Sequence, residues 1–336
     1  MTLTVGSLFA GLGAFDLAFE RAGCRIAWQV EIDLACNRVL ARHWPEVRRY
    51  GDITTLDPAG LEPVDIICGG VPCQPASVAG RRRGRSDARW LWPEFFRVVS
   101  ALRPAYVLWE NVPGLLSLRS EFAGILTTLD DLGYSGGWTS FDSQWFGVPQ
   151  RRVRVFGLFA LGHSGARRAA EVLALTASSP RHSAPGREAG EGVAAGAEDG
   201  ARGAGIAACL TANYGKQGED GTGRGVPIVA FDWQAGHGKD DSFRGKSRQY
   251  IVRKGDYTGS LQENKRDAVM TQMAVRRLTP VECCRLQAFP DDWLDLDPPL
   301  SDSAKYRQVG NAVTVNVAEW IARRLAALEA ERGGAP

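Results

Sequence analysis

The sequence predicts an α/β fold, a doubly wound sheet with a smaller domain inserted before the C-terminal helices. Three observations carry that expectation. From Leu3 to Leu161, short apolar, β-branched runs alternate with segments of helical period, and glycine turns join them. Near Leu161 the alternation stops, and His163 to Gly205 is rich in Ala, Gly, Pro, Ser and Arg, a composition that reads as linker. Helical order returns at Thr279-Pro280-Val281-Glu282, where threonine caps, proline takes the first position and glutamate closes a capping box. The pattern is Rossmann-like. It divides the chain into residues 1–162, an inserted stretch over 163–272, C-terminal helices over 273–330 and a tail over 331–336.

At 336 residues, with 44% hydrophobic and 23% charged side chains, the chain has the make-up of a soluble globular protein with a sizeable core. No apolar run is long enough to cross a membrane, and Met1-Thr2-Leu3-Thr4-Val5 leads into a strand instead of a signal peptide. A cytoplasmic location is therefore expected. The 7 cysteines show no Cys-x-x-Cys spacing, and with 4 histidines they form no zinc pattern, so no metal is expected. A net charge of only +2 means that any nucleic-acid affinity comes from local patches and not from the whole-protein field.

Taken in order, Leu3 to Phe9 reads as a strand, Ala10-Gly11-Leu12-Gly13-Ala14 as a turn, and the following residues as a helix. Glycines there let a nucleotide-like cofactor approach the backbone. The next strand, Arg25 to Val30, ends at Glu31, placed to accept hydrogen bonds from ribose hydroxyls; an acid at the start of the helix opened by Asp33 is the plainer alternative. Gly51-Asp52-Ile53-Thr54 offers a further acid at the same sheet edge, suited to an adenine amino group. Val64 to Cys68 reads as a buried strand, followed by Gly69-Gly70-Val71-Pro72-Cys73-Gln74. A cysteine at the carboxyl edge of such a strand sits where open α/β sheets hold ligands, and Arg81, Arg82, Arg83 and Arg85 nearby favour its thiolate. The alternative is a small buried hydrophobe.

Arg89 to Leu102 has helical period with core-facing aromatics, and Ala105 to Trp109 is the next strand, ending in Glu110-Asn111-Val112-Pro113. A carboxylate at a buried strand's end is costly without a partner, which marks Glu110 as a site residue. After a helix from Glu121 to Leu132 and another strand, the alternation of Arg152, Val153, Arg154 and Val155 puts both arginines on one strand face. That face either meets solvent or holds an anion or a carbonyl oxygen. Between Ile206 and Met270, basic residues such as Arg248 and Lys265 alternate with aromatics on turn-rich sequence, which suits a nucleic-acid surface or a solvated β-rich module. The closing helix is expected from Val315 to Leu328, and adjacent Cys283 and Cys284 are expected to pack.

Together these stretches resemble, in order, the motifs of the DNA (cytosine-5) methyltransferases of bacterial or phage type. Phe9-Ala10-Gly11-Leu12-Gly13 resembles the cofactor loop, Pro72-Cys73-Gln74 the nucleophile motif, Glu110-Asn111-Val112 the glutamate motif and Gln150-Arg151-Arg152-Val153-Arg154 the arginine motif. Arg277 to Pro290 and Gln308-Val309-Gly310-Asn311-Ala312-Val313 resemble the last two blocks. The stretch from Ser164 to Met270 falls where that family keeps its target-recognition domain. Four positions depart from the pattern: Ala14 and Ala288 stand where glycine is usual, Ala76 where phenylalanine is frequent, and Ile32 where an aromatic stacks on adenine.

The resemblance implies a Cys73 thiolate that adds to cytosine C6, a Glu110 carboxyl that bonds N3 and the 4-amino group, and Arg154 on the ring O2 with Arg152 in support. It implies S-adenosyl-L-methionine as cofactor, held by Phe9, Ala10, Gly11, Leu12, Gly13, Glu31, Ile32, Asp52, Ile53, Pro72, Asn311 and Ala312. The partner implied is double-stranded DNA from which the cytosine flips out, with the loop from Ser77 to Arg89 closing over it. A restriction endonuclease would be a functional partner, and a monomer is expected. The rivals are a tRNA cytosine methyltransferase, whose Cys-Phe-Thr signature is absent, a non-catalytic DNA-binding relic, which would have lost Cys73 or Glu110, and a nicotinamide-dependent cysteine enzyme, which leaves the later motifs unexplained.

Overall fold

In the computed structural model, which describes residues 2–72, 90–174, 230–232, 267–270 and 275–333, seven strands form one sheet. Strands β1 (Thr4–Leu8), β2 (Arg25–Val30), β3 (Arg48–Tyr50), β4 (Ile66–Gly70) and β5 (Tyr106–Asn111) run parallel. With β6 (Tyr134–Asp142) and β7 (Val153–Leu161) the order is β3-β2-β1-β4-β5-β7-β6, β7 lying antiparallel to both neighbours. Strand order reverses between β1 and β4, so the chain leaves these two strands in opposite directions and opens a crevice at their carboxyl ends.

The helices are α1 (Ala14–Arg21), α2 (Leu34–His43), α3 (Trp92–Leu102), α4 (Gly114–Ser117), α5 (Arg119–Asp131), α6 (Gly165–Leu173), α7 (Pro280–Leu286), α8 (Asp302–Asn311) and α9 (Val315–Gly333). Alternation along the strands separates two apolar layers. Val5, Ile66, Cys68 and Leu108 pack with α1, α2, α6 and α9, whereas Leu8, Ile67, Val107 and Trp109 pack with α3 and α5. The sheet is thus covered on both faces, as the doubly wound expectation requires. The first layer is completed from far along the chain: Leu278, Cys283, Cys284, Leu286, Ile321 and Leu325 share it with Phe15, Phe19 and Val39.

One polar cluster is sealed inside that layer. Ser7 Oγ donates to Asp16 Oδ2 at 2.9 Å, and Gln29 Nε2 donates to Oδ1 at 2.9 Å. All three residues are fully buried. Burial pushes the Asp16 carboxyl up from 3.8 to about 6, against the two hydrogen bonds that favour its ionised form.

Several element bounds differ from expectation. The first part of the stretch read as linker instead forms α6 over Gly165–Leu173, whose Ala169, Val172 and Leu173 are buried, and residues 175–205 lie outside the described residues. Alanine is the strongest helix former, and an Ala- and Arg-rich run with apolar residues at helical spacing docks on a sheet as readily as it would form a tether. Helix α3 begins at Trp92, and β7 begins at Val153, one residue after Arg152. The closing helix continues into the expected tail as far as Gly333, because nothing in Glu329-Ala330-Glu331-Arg332 breaks it. Short strands β8 (Ala230–Asp232), β9 (Asp267–Met270) and β10 (Val275–Arg277) form an antiparallel sheet, which carries the inserted region's pairing past residue 272. The capping box of α7 forms as its sequence predicts, with Thr279 and Glu282 bonding each other's backbone N–H.

Candidate active site

The turn after β1 is half-buried at residues 9–11 and buried at residues 12–14. Phe9, Gly11 and Gly13 all adopt left-handed backbone, with φ of 54°, 56° and 78°. Gly13 is required for a second reason, since a Cβ there would lie 2.4 Å from the Trp44 ring. The turn is tied down by Ala10 N–H donating to Val30 O at 3.1 Å and by the Trp293 indole N–H donating to Leu12 O at 3.0 Å. Ala14, where glycine is usual in the resembled motif, is the buried first residue of α1 and needs no special backbone. Ala288 differs: its φ is 62°, where a Cβ is strained and glycine is at ease.

At the end of β2, both oxygens of Glu31 are engaged. Oε2 accepts from Gly11 N–H at 2.7 Å and Oε1 from Asp33 N–H at 2.8 Å. Burial raises its carboxyl above the usual range, with those two backbone donors opposing. Each oxygen retains a further lone pair for a hydroxyl donor. Glu31 therefore braces the helix start while lying beside the glycine turn. Asp33 itself is the cap of α2, its Oδ1 accepting from Ala35 and Cys36 N–H. Ile32 and Leu34 present exposed apolar side chains, 67% and 81% accessible, along the same edge. Asp52 lies at the surface, its carboxyl held below the usual range by the Thr54 N–H. The Ile53 side chain is buried in the layer shared with α3 and α5, and its carbonyl accepts from Arg97 Nη2 at 2.6 Å.

The other wall is formed by β4, β5 and β7. Gly70 pairs in register with Glu110, and a Cβ on Gly70 would stand 3.4 Å from Glu110 Oε2 and 4.0 Å from a Val313 methyl. Glu110 is buried and forms an ion pair with Arg154, Nε to Oε1 at 3.2 Å. Burial raises its carboxyl above the usual range, against the pull of Arg154 and then Arg152. Asn111 donates to Val71 O at 3.1 Å and so fixes the backbone just before Pro72. Cys73, Ala76 and the loop from Ser77 to Arg89 lie outside the described residues, as do Arg248 and Lys265.

Arg152 does a different job from Arg154. Its buried guanidinium donates to Gly310 O at 3.1 Å and to Ala312 O at 2.7 Å, clamping the turn after α8. That turn, with Asn311 exposed and Val313 beside Gly70, brings the last motif to the same crevice. Trp44 and Trp293 carry no local signal in the sequence, Gln308 lies within a quoted motif, and Asp33 is read there only as opening a helix.

Comparison with known proteins follows the same lines. A model of the C-5 cytosine-specific DNA methylase family matches residues 3–327. The Type II methyltransferase M.DsaV of Dactylococcopsis salina is 28% identical over 334 residues, covering 95% of this chain and 84% of the relative. A DNA N-6-adenine-methyltransferase of Escherichia phage P1 is 27% identical over 464 aligned residues, 96% of this chain and 61% of its own length. Among solved structures, the Dnmt2 methyltransferase of S. pombe superposes with a TM-score of 0.63 over 97% of this chain and 99% of that one. At 19% identity that likeness establishes the shared fold alone.

Proposed function

The chain belongs to the C-5 cytosine-specific DNA methylase family, and from that premise we propose that it transfers a methyl group to C5 of a cytosine in duplex DNA. The observation that carries this reading is the buried Glu110–Arg154 pair at the end of β5, in register with Gly70 just ahead of Cys73. Cytosine C5 is a poor nucleophile. When the Cys73 thiolate bonds to C6, the displaced electron pair makes C5 enamine-like, and charge builds on the ring. Glu110, whose carboxyl burial raises, would share a proton with N3 and accept from the 4-amino group, while Arg154 would hold O2. Arg152 supports the pocket through its clamp on Gly310 and Ala312. After methyl transfer, solvent water or hydroxide takes the C5 proton, the C–H electron pair re-forms the C5–C6 double bond, and the Cys73 thiolate leaves C6.

The donor is S-adenosyl-L-methionine, whose sulfonium supplies an electrophilic methyl group. The residues fit such a ligand: the turn after β1 is half-buried at residues 9–11, Glu31 offers lone pairs for ribose hydroxyls, and Ile32 gives an exposed apolar face. Pro72, Asp52, Ile53, Asn311 and Ala312 would line the remainder. Because C5 is hidden in a stacked pair, the cytosine flips out, with the loop from Ser77 to Arg89 closing on the DNA and the inserted region choosing the site. A monomeric cytoplasmic enzyme with a cognate endonuclease fits this reading, and the Type II names of relatives support that setting. The adenine chemistry named for the phage P1 relative uses the exocyclic amine as nucleophile and leaves Cys73 without a role.

The test is nucleoside mass spectrometry of DNA and tRNA from cells expressing wild type or Cys73→Ala. Wild type should yield 5-methylcytosine in DNA and form a denaturation-resistant adduct with DNA containing 5-fluorocytosine, and the variant neither. N6-methyladenine, methylation confined to tRNA, or normal turnover by Cys73→Ala would refute the reading.

A further inference from the structure

A continuous set of contacts joins the cofactor edge to the arginine wall. Glu31 accepts from Gly11 N–H and from Asp33 N–H. The Asp33 carboxylate, besides capping α2, accepts from Gln308 Nε2 at 3.0 Å through Oδ1 and from Arg307 Nη2 at 3.0 Å through Oδ2. Gln308 lies in the last turn of α8 and is only 3% exposed. Its amide oxygen has no hydrogen-bond partner among the described residues, so the side chain's visible polar work is the single bond to Asp33. Neighbouring backbone faces the other way: Val309 O accepts from Gln287, and Gly310 O and Ala312 O receive the Arg152 guanidinium. Arg152 and Arg154 share one face of the chain leading into β7, and Arg154 is paired to Glu110.

We propose that Asp33 and Gln308 form a positioning pair through which occupancy of the cofactor edge sets the seating of Arg152, Arg154 and Glu110 around the target cytosine. The proposal rests on the methyltransferase reading above. A ligand drawn onto Glu31 tightens the segment from Glu31 to Asp33; the Gln308 amide passes that constraint to the end of α8, and the Gly310 and Ala312 carbonyls pass it to Arg152. Coupling of this kind is reciprocal, so DNA seated against Arg154 would in turn raise cofactor affinity.

The hydrogen bond has a direction, an amide donor to a carboxylate acceptor, and that makes it testable by exchange. In the full chain, Gln308→Glu sets two carboxylates against each other. At pH 8.5 this variant should lose tenfold or more both in S-adenosyl-L-homocysteine affinity, by calorimetry, and in single-turnover methyl transfer to unmethylated plasmid DNA at saturating cofactor. As the pH falls to 6 the introduced carboxyl gains a proton and can donate again, and both quantities should return to within threefold of wild type. Gln308→Met should show the loss at every pH, with thermal unfolding confirming that it is folded. Indifference of Gln308→Glu to pH, or lost cofactor affinity with an unchanged transfer rate, would each overturn the proposal. A wild-type chain that binds no S-adenosyl-L-homocysteine would overturn the functional reading itself, whereas normal wild-type binding and transfer with unaffected variants would overturn this inference alone.

Discussion

Replacing Asp16 by asparagine should stabilise the protein, and by an amount that depends on pH. In the folded chain its carboxyl is held near 6 instead of 3.8, chiefly because it has no water around it. At about 1.4 kcal/mol per decade of proton affinity, that displacement is worth about 3 kcal/mol once the group is ionised in both states. Below about pH 4 both the folded and unfolded carboxyls are protonated and the penalty vanishes. Between about 4 and 6 the unfolded chain gives up its proton first, so stability falls as pH rises; above about 6 the whole deficit is present. An asparagine of the same shape has no charge to bury. Its oxygen can accept from Gln29 Nε2, and its amide can donate to Ser7 Oγ, a hydroxyl able to reverse its role. Urea unfolding of wild type and Asp16→Asn at pH 4.5, 5.5 and 7 isolates this group from the other carboxylates. The difference in unfolding free energy should widen in the variant's favour by about 2 kcal/mol between pH 4.5 and 7. A difference that stays constant or narrows over that range would mean that Asp16 is ionised at no cost, and the burial argument would fall.

Glu110→Gln keeps the shape of a buried side chain but cannot supply a proton; it should fold normally and slow single-turnover transfer by roughly 10²- to 10⁴-fold, with near-normal turnover refuting a proton role. Glu31→Ala removes the acceptor for two backbone N–H groups and should weaken S-adenosyl-L-homocysteine binding by about 1–3 kcal/mol, measured by calorimetry; wild-type affinity would place the cofactor elsewhere. Ala288→Gly relieves a left-handed alanine at the cost of unfolded-chain entropy, so it should be neutral or stabilising by up to about 1 kcal/mol, and a loss larger than that in urea unfolding would contradict the strain.

The features read correctly from the sequence are those whose chemistry is local. A strand end followed by glycines fixes Gly11 and Gly13, and an acid directly after a buried run identifies Glu110 and Glu31, because each signal fits within one turn of chain. Thr279, Pro280 and Glu282 announce a helix start in the same way. What escaped has partners far off: Arg152 meets a carbonyl 160 residues away, Asp33 an amide 275 away and Leu12 an indole 281 away. No spacing rule reaches that far, so an arginine pair read as meeting solvent or holding an anion or carbonyl oxygen divides into one that pairs with Glu110 and one that clamps backbone carbonyls. Helix α6 was obscured for another reason, since alanine and arginine build tethers and docked helices alike and only the sheet face decides between them.

The shared apolar layer also has a consequence at the ribosome. The inner face of α1 is covered by α9, and Phe15, Phe19 and Val39 lie in one layer with Leu278, Leu286, Ile321 and Leu325. When Leu173 has been synthesised, nearly all of the main sheet exists, yet none of those later residues does. At usual elongation rates the roughly 100 residues still to come before Leu278 take about 5–20 s. For that interval the nascent chain carries an uncovered greasy face and an unclamped Arg152. The protein can therefore neither close its cofactor side nor organise its arginine wall until synthesis is almost finished. Translation itself becomes the timer that keeps a half-made chain inactive, and the same interval is when chaperones have most reason to hold it.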